Sequence, residues 1–206
     1  MCIRDSYETV NGNRLTLTIG GVRAYNHTNL YSKKTAERFK VFIGFTCKVC
    51  TNLCVSTDGY LSCLEVTNTN ELYRAVLEMF NRYDPAKHIH LMQTLSNTYL
   101  TEHQFCQLLG RMRLYQSLPQ SQQKAIPRML LTDSQINNVA KSYIQDENFG
   151  SLGSDLSMWK FYNLLTGANK NSYIDSFLDR AYNATEMAIG INAALHGDDK
   201  YRWFID

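Results

Sequence analysis

Four cysteines, Cys47, Cys50, Cys54 and Cys63, fall inside seventeen residues at the spacing C-x2-C-x3-C-x8-C. Thiolates this close in sequence can close a tetrahedral zinc site and staple the segment around a metal. Only Cys47 and Cys50 have the spacing of an ordinary zinc knuckle. Cys54 and Cys63 would have to complete it from a neighbouring strand and from beyond an Asp58-Gly59 turn. Side chains alternate along an extended strand, so Cys50 and Cys54 share one face and Cys47 takes the other. Buried neutral cysteine is therefore the favoured reading, with zinc on Cys47, Cys50, Cys54 and Cys63 as its alternative and no other cofactor expected.

The histidines add little. His88 and His90 stand two apart, which on a helix sends them to different sides. His103 and Cys106, at i and i+3, can share a ligand face, but a capped helix start with a polar histidine and a buried cysteine is the far commoner arrangement. No G-x-S-x-G, glycine-rich phosphate loop or paired-carboxylate pattern occurs. No catalytic residue can be named, and an enzyme has no positive support.

Charge divides unevenly. Residues 1–50 hold eight Lys and Arg against three acids, a balance of +5, and the remainder stands at −3, which gives the net +2. Within the basic part Tyr25, Tyr31, Phe39 and Phe42 interleave with Arg23, Lys33, Lys34, Arg38 and Lys40. Aromatics that stack on bases beside cations that track phosphate are what a groove for single-stranded nucleic acid requires. The competing reading is a solvated basic loop beside core aromatics. On the first reading Arg23, Tyr31, Lys33, Lys34, Arg38 and Lys40 form the contact surface, with single- or double-stranded DNA as the partner. A second polar group, Asn163, Asn169, Lys170, Asp175, Asp179 and Arg180, lies between two apolar helical stretches. It reads as a connection in which Asn171 or Ser172 caps the following helix, and as a loop able to host a binding site.

The elements that position these residues are strands first and helices after. Tyr7 to Val10, an Asn11-Gly12-Asn13 turn and Leu15 to Tyr25 read as a hairpin, with Gly20-Gly21 marking a bulge or a close backbone approach. Phe39 to Thr46 and Val49 to Thr57 are two more strands, the second stopped by Asp58-Gly59. Beyond residue 68 the apolar period becomes helical. The first helix, capped by Asn68 or Thr69, turns Leu72, Val76, Met79 and Phe80 inward and ends before Pro85. Further helices cover His88 to Leu95, a stretch from Thr101 with Gln104 completing a capping box, one from Thr132 or Asp133, Trp159 to Leu165 stopped by Gly167, and Tyr173 to Leu195. Residues 146–157 form the one long loop, and the tail ending in Trp203 and Phe204 docks back on the core. The fold class is α+β: an antiparallel sheet of a hairpin plus two further strands, residues 7–66, and a helical part, residues 67–206, packed on the same sheet.

A chain of 206 residues with 44% hydrophobic and 19% charged residues has the composition of an ordinary globular protein. No apolar run approaches the roughly 20 residues that span a bilayer, and the start lacks the regions of a secretory signal, so no membrane partner and a cytoplasmic location are expected. In that compartment cysteines stay reduced. The leader Met-Cys-Ile-Arg-Asp-Ser, residues 1–6, reads as non-native, which makes the chain a piece truncated at its N-terminus.

The phrases YETVNGNRLTLTIGGVRAYNHTNLYSKK, VCTNLCVSTDG, LTEHQF, LLLTDSQINNVAK, YNLLTGANKNSYIDSFLDR and ALHGDDKYRWFI resemble an uncharacterised bacterial family, domain of unknown function 3871. That family is distantly similar to phage/plasmid-like proteins of mobile genetic elements. The resemblance covers Tyr7 to Ile205 and implies a mobile-element setting, where proteins handle DNA during replication or recombination. It carries over no catalytic residue. Two functions follow as expectations: a non-enzymatic nucleic-acid-associated protein, or a protein-interaction or structural module, with or without a zinc staple.

Overall fold

The computed structural model describes residues 6–8, 12–24, 36–47, 51–119, 121, 133–145 and 155–206. Four antiparallel strands lie in sequence order: β1 (Ser6–Glu8), β2 (Arg14–Ala24), β3 (Glu37–Cys47) and β4 (Leu53–Val66). Helices follow as α1 (Thr69–Arg82), α2 (Pro85–Ser96), α3 (Glu102–Ser117), α4 (Asp133–Gln145), α5 (Met158–Ala168) and α6 (Ile174–Leu195). A two-stranded ladder of β5 (Tyr99–Leu100) and β6 (Leu156–Ser157) ties the start of α3 to the start of α5. The architecture is α+β, as the change of period requires. The loop expected over residues 146–157 ends in β6, and its residues 146–154 lie outside those described.

Local signals set most helix ends. The Asn68 side chain accepts the Glu71 N–H to open α1, and Asp84 accepts the Ala86 and Lys87 N–H groups ahead of Pro85 to open α2. Thr101 and Gln104 form the expected capping box. At the far end of α6, Gly197 takes φ +100, the Gly197 N–H bonds the Ala194 carbonyl and the Asp198 N–H bonds that of Ala193. This is a Schellman closure, for which a residue without Cβ is best suited.

Of the two meanings expected for Gly20-Gly21, the bulge is absent, because β2 and β3 stay in register from Leu15↔Cys47 to Ala24↔Arg38, whereas the close backbone approach is present, a Cβ on Gly21 lying 3.2 Å from the Lys40 carbonyl oxygen. The Phe42 ring covers Gly20, where a Cβ would meet it at 2.7 Å. Asp58-Gly59 does not stop a strand. Gly44 pairs with Val55 and Phe42 with Tyr60, so four residues of β4, Ser56 to Gly59, bulge opposite Ile43 alone. Close packing fixes that bulge: a Cβ on Gly59 would sit 2.1 Å from the Ile43 carbonyl oxygen, and one on Gly44 2.1 Å from that of Cys54.

The main core joins Ile43, Phe45 and Cys54 of the sheet to Met92, Phe105, Trp159, Phe161, Ala188 and Ile191 of the helices. A second cluster of Phe42, Leu53 and Val55 is covered by Leu178 and Ala181 of α6. Helix α6 therefore serves both, with its first half on one cluster and its second half on the other. The tail turns back as expected, with Tyr201 and Phe204 buried, whereas Trp203 stays 46% exposed beside Arg111. Gly190 leaves room for the Tyr201 ring, which would lie 2.4 Å from a Cβ there. Phe80, expected inward on α1, is 45% exposed, because Leu72, Val76 and Met79 fill the inward stripe.

Candidate functional site: a cleft floored by the β4 bulge

The described cysteines do not converge on a metal site. Strand β3 ends at Cys47, whose N–H bonds the Asn52 carbonyl at 3.0 Å across a turn with Thr51 at φ 55. Cys47 and Cys54 therefore sit on adjacent strands, so the alternation rule does not separate them, and both enter the main core. Cys63 is exposed nine residues further along β4, roughly 20–30 Å away at strand rise. Cys50 lies outside the described residues, and among those described no group of three or more His, Cys, Asp or Glu is placed to hold a metal. The Cys54 thiol lies against the Tyr162 hydroxyl, and burial pushes its pKa up to about 12. A thiol so protonated is inert packing. His103 and Cys106 are both exposed on α3, which corrects the expectation of a buried cysteine there.

Of the expected nucleic-acid contacts, Tyr31, Lys33 and Lys34 lie outside the described residues, as does Tyr25. Each remaining cation has a carboxylate: Arg23 with Glu37 at 2.6 Å, Arg38 with Glu65 at 2.7 Å and Lys40 with Asp179 at 2.5 Å. Phe39 and Phe42 pack into the two clusters. The ion pair of Lys40 and Asp179 brings together one residue from each of the two groups picked out in the sequence. Asp179 also accepts the Tyr60 hydroxyl, and burial together with that bond raises the Tyr60 pKa.

The second polar group is split. Asn163 is buried, and both its backbone carbonyl and its side-chain oxygen accept from Asn52 Nδ2 at 3.1 Å. Asn169 is buried in a single 3-10 turn, residues 169–171, and Lys170 is exposed there. Asp179 faces the sheet, and Arg180 bonds Ser172 at 2.7 Å. The side chain of Asp175 is outside the description. Neither expected cap serves α6: Tyr173 holds the N-cap position and makes no side-chain bond. The Ser172 hydroxyl is committed instead to Gln135 and Arg180.

A cleft of about 870 Å³ that carries titratable groups lies between β4, the α1–α2 corner and α6. Its floor is the β4 bulge, Ser56, Thr57 and Asp58, followed by Tyr60 and Leu61. Arg82 at the end of α1 and Lys87, His88 and His90 of α2 form one wall, and Glu186 and Ile189 of α6 form the other. Both acids are occupied. Asp58 accepts the Ser56 hydroxyl at 2.6 Å and the Asp84 N–H at 3.4 Å. Burial alone would raise the Asp58 pKa, but these bonds and the nearby Lys87 charge outweigh it and hold the carboxyl below its ordinary value. Glu186 accepts the Thr57 hydroxyl at 2.7 Å. His88 is buried, hydrogen bonded through Nδ1 to the Tyr83 hydroxyl at 2.7 Å, and stacked edge-on with Phe45 at 5.3 Å. Burial lowers its pKa to about 4 against the opposing pull of Asp58, so it is neutral near pH 7.

The cations at the rim stand differently from those of the sheet. Arg82, Lys87 and His90 are exposed, and among the described residues none makes a salt bridge or side-chain hydrogen bond. With its acids satisfied and its cations not, the cleft offers an anion a place, and Leu61, Leu91 and Ile189 give it an apolar lining. Sequence reasoning missed this site because its residues meet only across four elements. The one local signal was Asp58-Gly59, which reads as punctuation until the partner strand is known.

A family match extends over nearly all of this α+β chain. The chain belongs to the family described as "Domain of unknown function, B. Theta Gene description (DUF3871)", whose model matches residues 2–205. No curated protein and no solved structure matches the chain. Among the described residues, no helix is long and apolar enough to cross a membrane.

Proposed function

We propose that this protein is a non-enzymatic, nucleic-acid-associated protein that holds single-stranded nucleic acid, with one nucleotide seated in the cleft beside β4. The observation that carries this reading is the contrast in pairing. Among the described residues Arg82, Lys87 and His90 at the cleft make no salt bridge, the Lys87 charge only lying near Asp58, while Arg23, Arg38 and Lys40 on the sheet each make one. Unpaired cations meet phosphate without first breaking an ion pair, and a cleft of about 870 Å³ lies within the size range of small-ligand sites. Tyr60 and the apolar lining supply a surface for a base. On α1, Tyr73 and Phe80 are 63% and 45% exposed one heptad apart, beside Arg74 and Arg82, an arrangement suited to stacking the bases that follow. The resemblance to phage/plasmid-like proteins suits a cytoplasmic mobile-element setting in which such strands occur.

A second reading, a protein-interaction module, draws on the same helix. Tyr73, Leu77 and Phe80 at i, i+4 and i+7 form an exposed apolar stripe of the kind that docks on a partner. Fluorescence anisotropy with labelled single- and double-stranded oligonucleotides at low salt separates the two. Arg82→Glu combined with Lys87→Glu is expected to weaken single-strand binding at least tenfold and to lower the salt-dependence slope by about two. Arg38→Glu combined with Lys40→Glu should have a much smaller effect. Absence of binding by the unaltered chain would remove this function and leave the interaction reading.

A further inference from the structure

We infer that the cleft selects for guanine, taking a nucleotide with its phosphate on the α1–α2 wall and the amino edge of its base toward β4 and α6. Selection of this kind rests on the nucleotide reading of the cleft and adds to it the identity of the base. What carries it is where the protons of the lining hydroxyls go. Among the described residues that line the cleft, Ser56, Thr57, Tyr60 and Thr94 have hydroxyls, and each gives its proton to the protein. Ser56 donates to Asp58 at 2.6 Å, Thr57 to Glu186 at 2.7 Å, Thr94 to the His90 carbonyl at 3.0 Å, and Tyr60 to Asp179. A hydroxyl has one proton and two acceptor lone pairs, so toward a ligand all four can only accept.

The polar lining is thereby sorted by role. On the β4 and α6 side Ser56, Thr57, Asp58 and Glu186 are acceptors, and on the α1–α2 side Arg82 and Lys87 are charged donors. His88, 2% exposed, is held through Nδ1 by the Tyr83 hydroxyl. The bond from Thr57 fills one of about four lone-pair sites of the Glu186 carboxylate, which leaves the others open to a donor. A nucleotide has the complementary layout, an anion at one end and a base edge at the other. Of the common bases, guanine alone carries two adjacent donors, N1–H and N2–H2, which a carboxylate accepts side by side. In adenine and cytosine the amino group stands next to a ring nitrogen that accepts, and in thymine N3–H lies between two carbonyls. Each of these sets an acceptor against an acceptor, which costs more than a missing bond. The Tyr60 ring, anchored through its hydroxyl to Asp179 and set 5.5 Å from the Tyr182 ring, offers the base a fixed face. The edge of guanine that this arrangement engages is free only in an unpaired strand.

The test uses the full chain and fluorescence anisotropy with a labelled thymine-only strand, the same strand with one guanine, and the same strand with one deoxyinosine, which lacks the 2-amino group. The guanine should tighten binding at least tenfold, and deoxyinosine should recover only part of that gain. Glu186→Gln keeps an acceptor for Thr57 but turns one carboxylate oxygen into an N–H2 donor, and should bring the guanine and thymine strands to within about threefold of each other. That ratio is read within one variant, so a general loss of stability does not move it. Thermal unfolding of the unaltered chain needs no variant: guanosine 5′-monophosphate should raise the midpoint saturably at concentrations where thymidine 5′-monophosphate does not. If guanosine 5′-monophosphate alone gives this rise and no strand binds, guanine selection stands and the single-strand function falls. If all three strands bind alike, the single-strand function stands and guanine selection is overturned. Equal responses to the two mononucleotides, or a guanine preference left intact by Glu186→Gln, would overturn it as well.

Discussion

His88 is the residue whose environment departs furthest from what its own sequence position announces. It lines a polar cleft, yet it is buried against Phe45 with its Nδ1 on the Tyr83 hydroxyl, and its pKa falls from 6.5 to about 4. The unfolded chain accepts a proton on this imidazole as pH drops below 6.5, and the folded chain resists until about 4. The unfolded state thus binds more protons in that window, so stability rises with pH from about 4 to 6.5 and is lost as pH falls through it. The full effect is on the order of 3 kcal/mol. His88→Gln keeps an acceptor for Tyr83 and cannot titrate. Urea midpoints measured between pH 4 and 7 should show a shallower acid loss in this variant than in the unaltered chain, and an identical pH profile would assign the loss to other groups. In the sequence His88 reads only as a histidine too near His90 to share a helix face with it. The Phe45 and Tyr83 contacts that define it come from strand β3 and from the residue that closes α1.

At the level of elements, what could be read was what is local. Asn68, Thr101 with Gln104, and Pro85 set helix starts through bonds spanning a few residues, and each start falls where those residues put it. What could not be read depends on partners distant in sequence. Ser172 has the chemistry of an N-cap and is drawn away by Gln135 and Arg180. Cys47 and Cys54 obey alternation only along a single strand, and a turn lies between them. Gly59 has the sequence of a strand stop but sits inside β4 because the Ile43 carbonyl leaves no room for a Cβ. Gly59→Ala should therefore cost about 2–4 kcal/mol by denaturant unfolding, a main-chain clash that no rotamer relieves. Gly197→Ala, where space is open and only the positive φ is at issue, should cost about 1–2 kcal/mol. Equal costs would mean that the bulge relaxes freely. The α+β order of strands and helices was legible because the apolar period changes once, near residue 68. The cleft was not, since β4, α1, α2 and α6 each contribute to it without any one of them carrying its pattern.

On the scale of the whole chain, α6 is the element that joins the parts. Leu178 and Ala181 close one apolar cluster, and Ala188 and Ile191 close the other. Sheet and helices should consequently unfold together. Far-UV circular dichroism and the fluorescence of the tryptophans, Trp159 buried in the core and Trp203 beside Arg111, should give coincident urea transitions. Separated transitions would show that the strands and the helical part are independent units. The β4 bulge has a bearing on how such a protein can change over time. The outline of its cleft is held by Gly44 and Gly59, where main chain touches main chain, whereas the groups facing a ligand are side chains on the surrounding turns. Shape and chemistry are therefore inherited separately: drift at Arg82, Lys87 or His90 can retune what is held while two glycines keep the vessel the same.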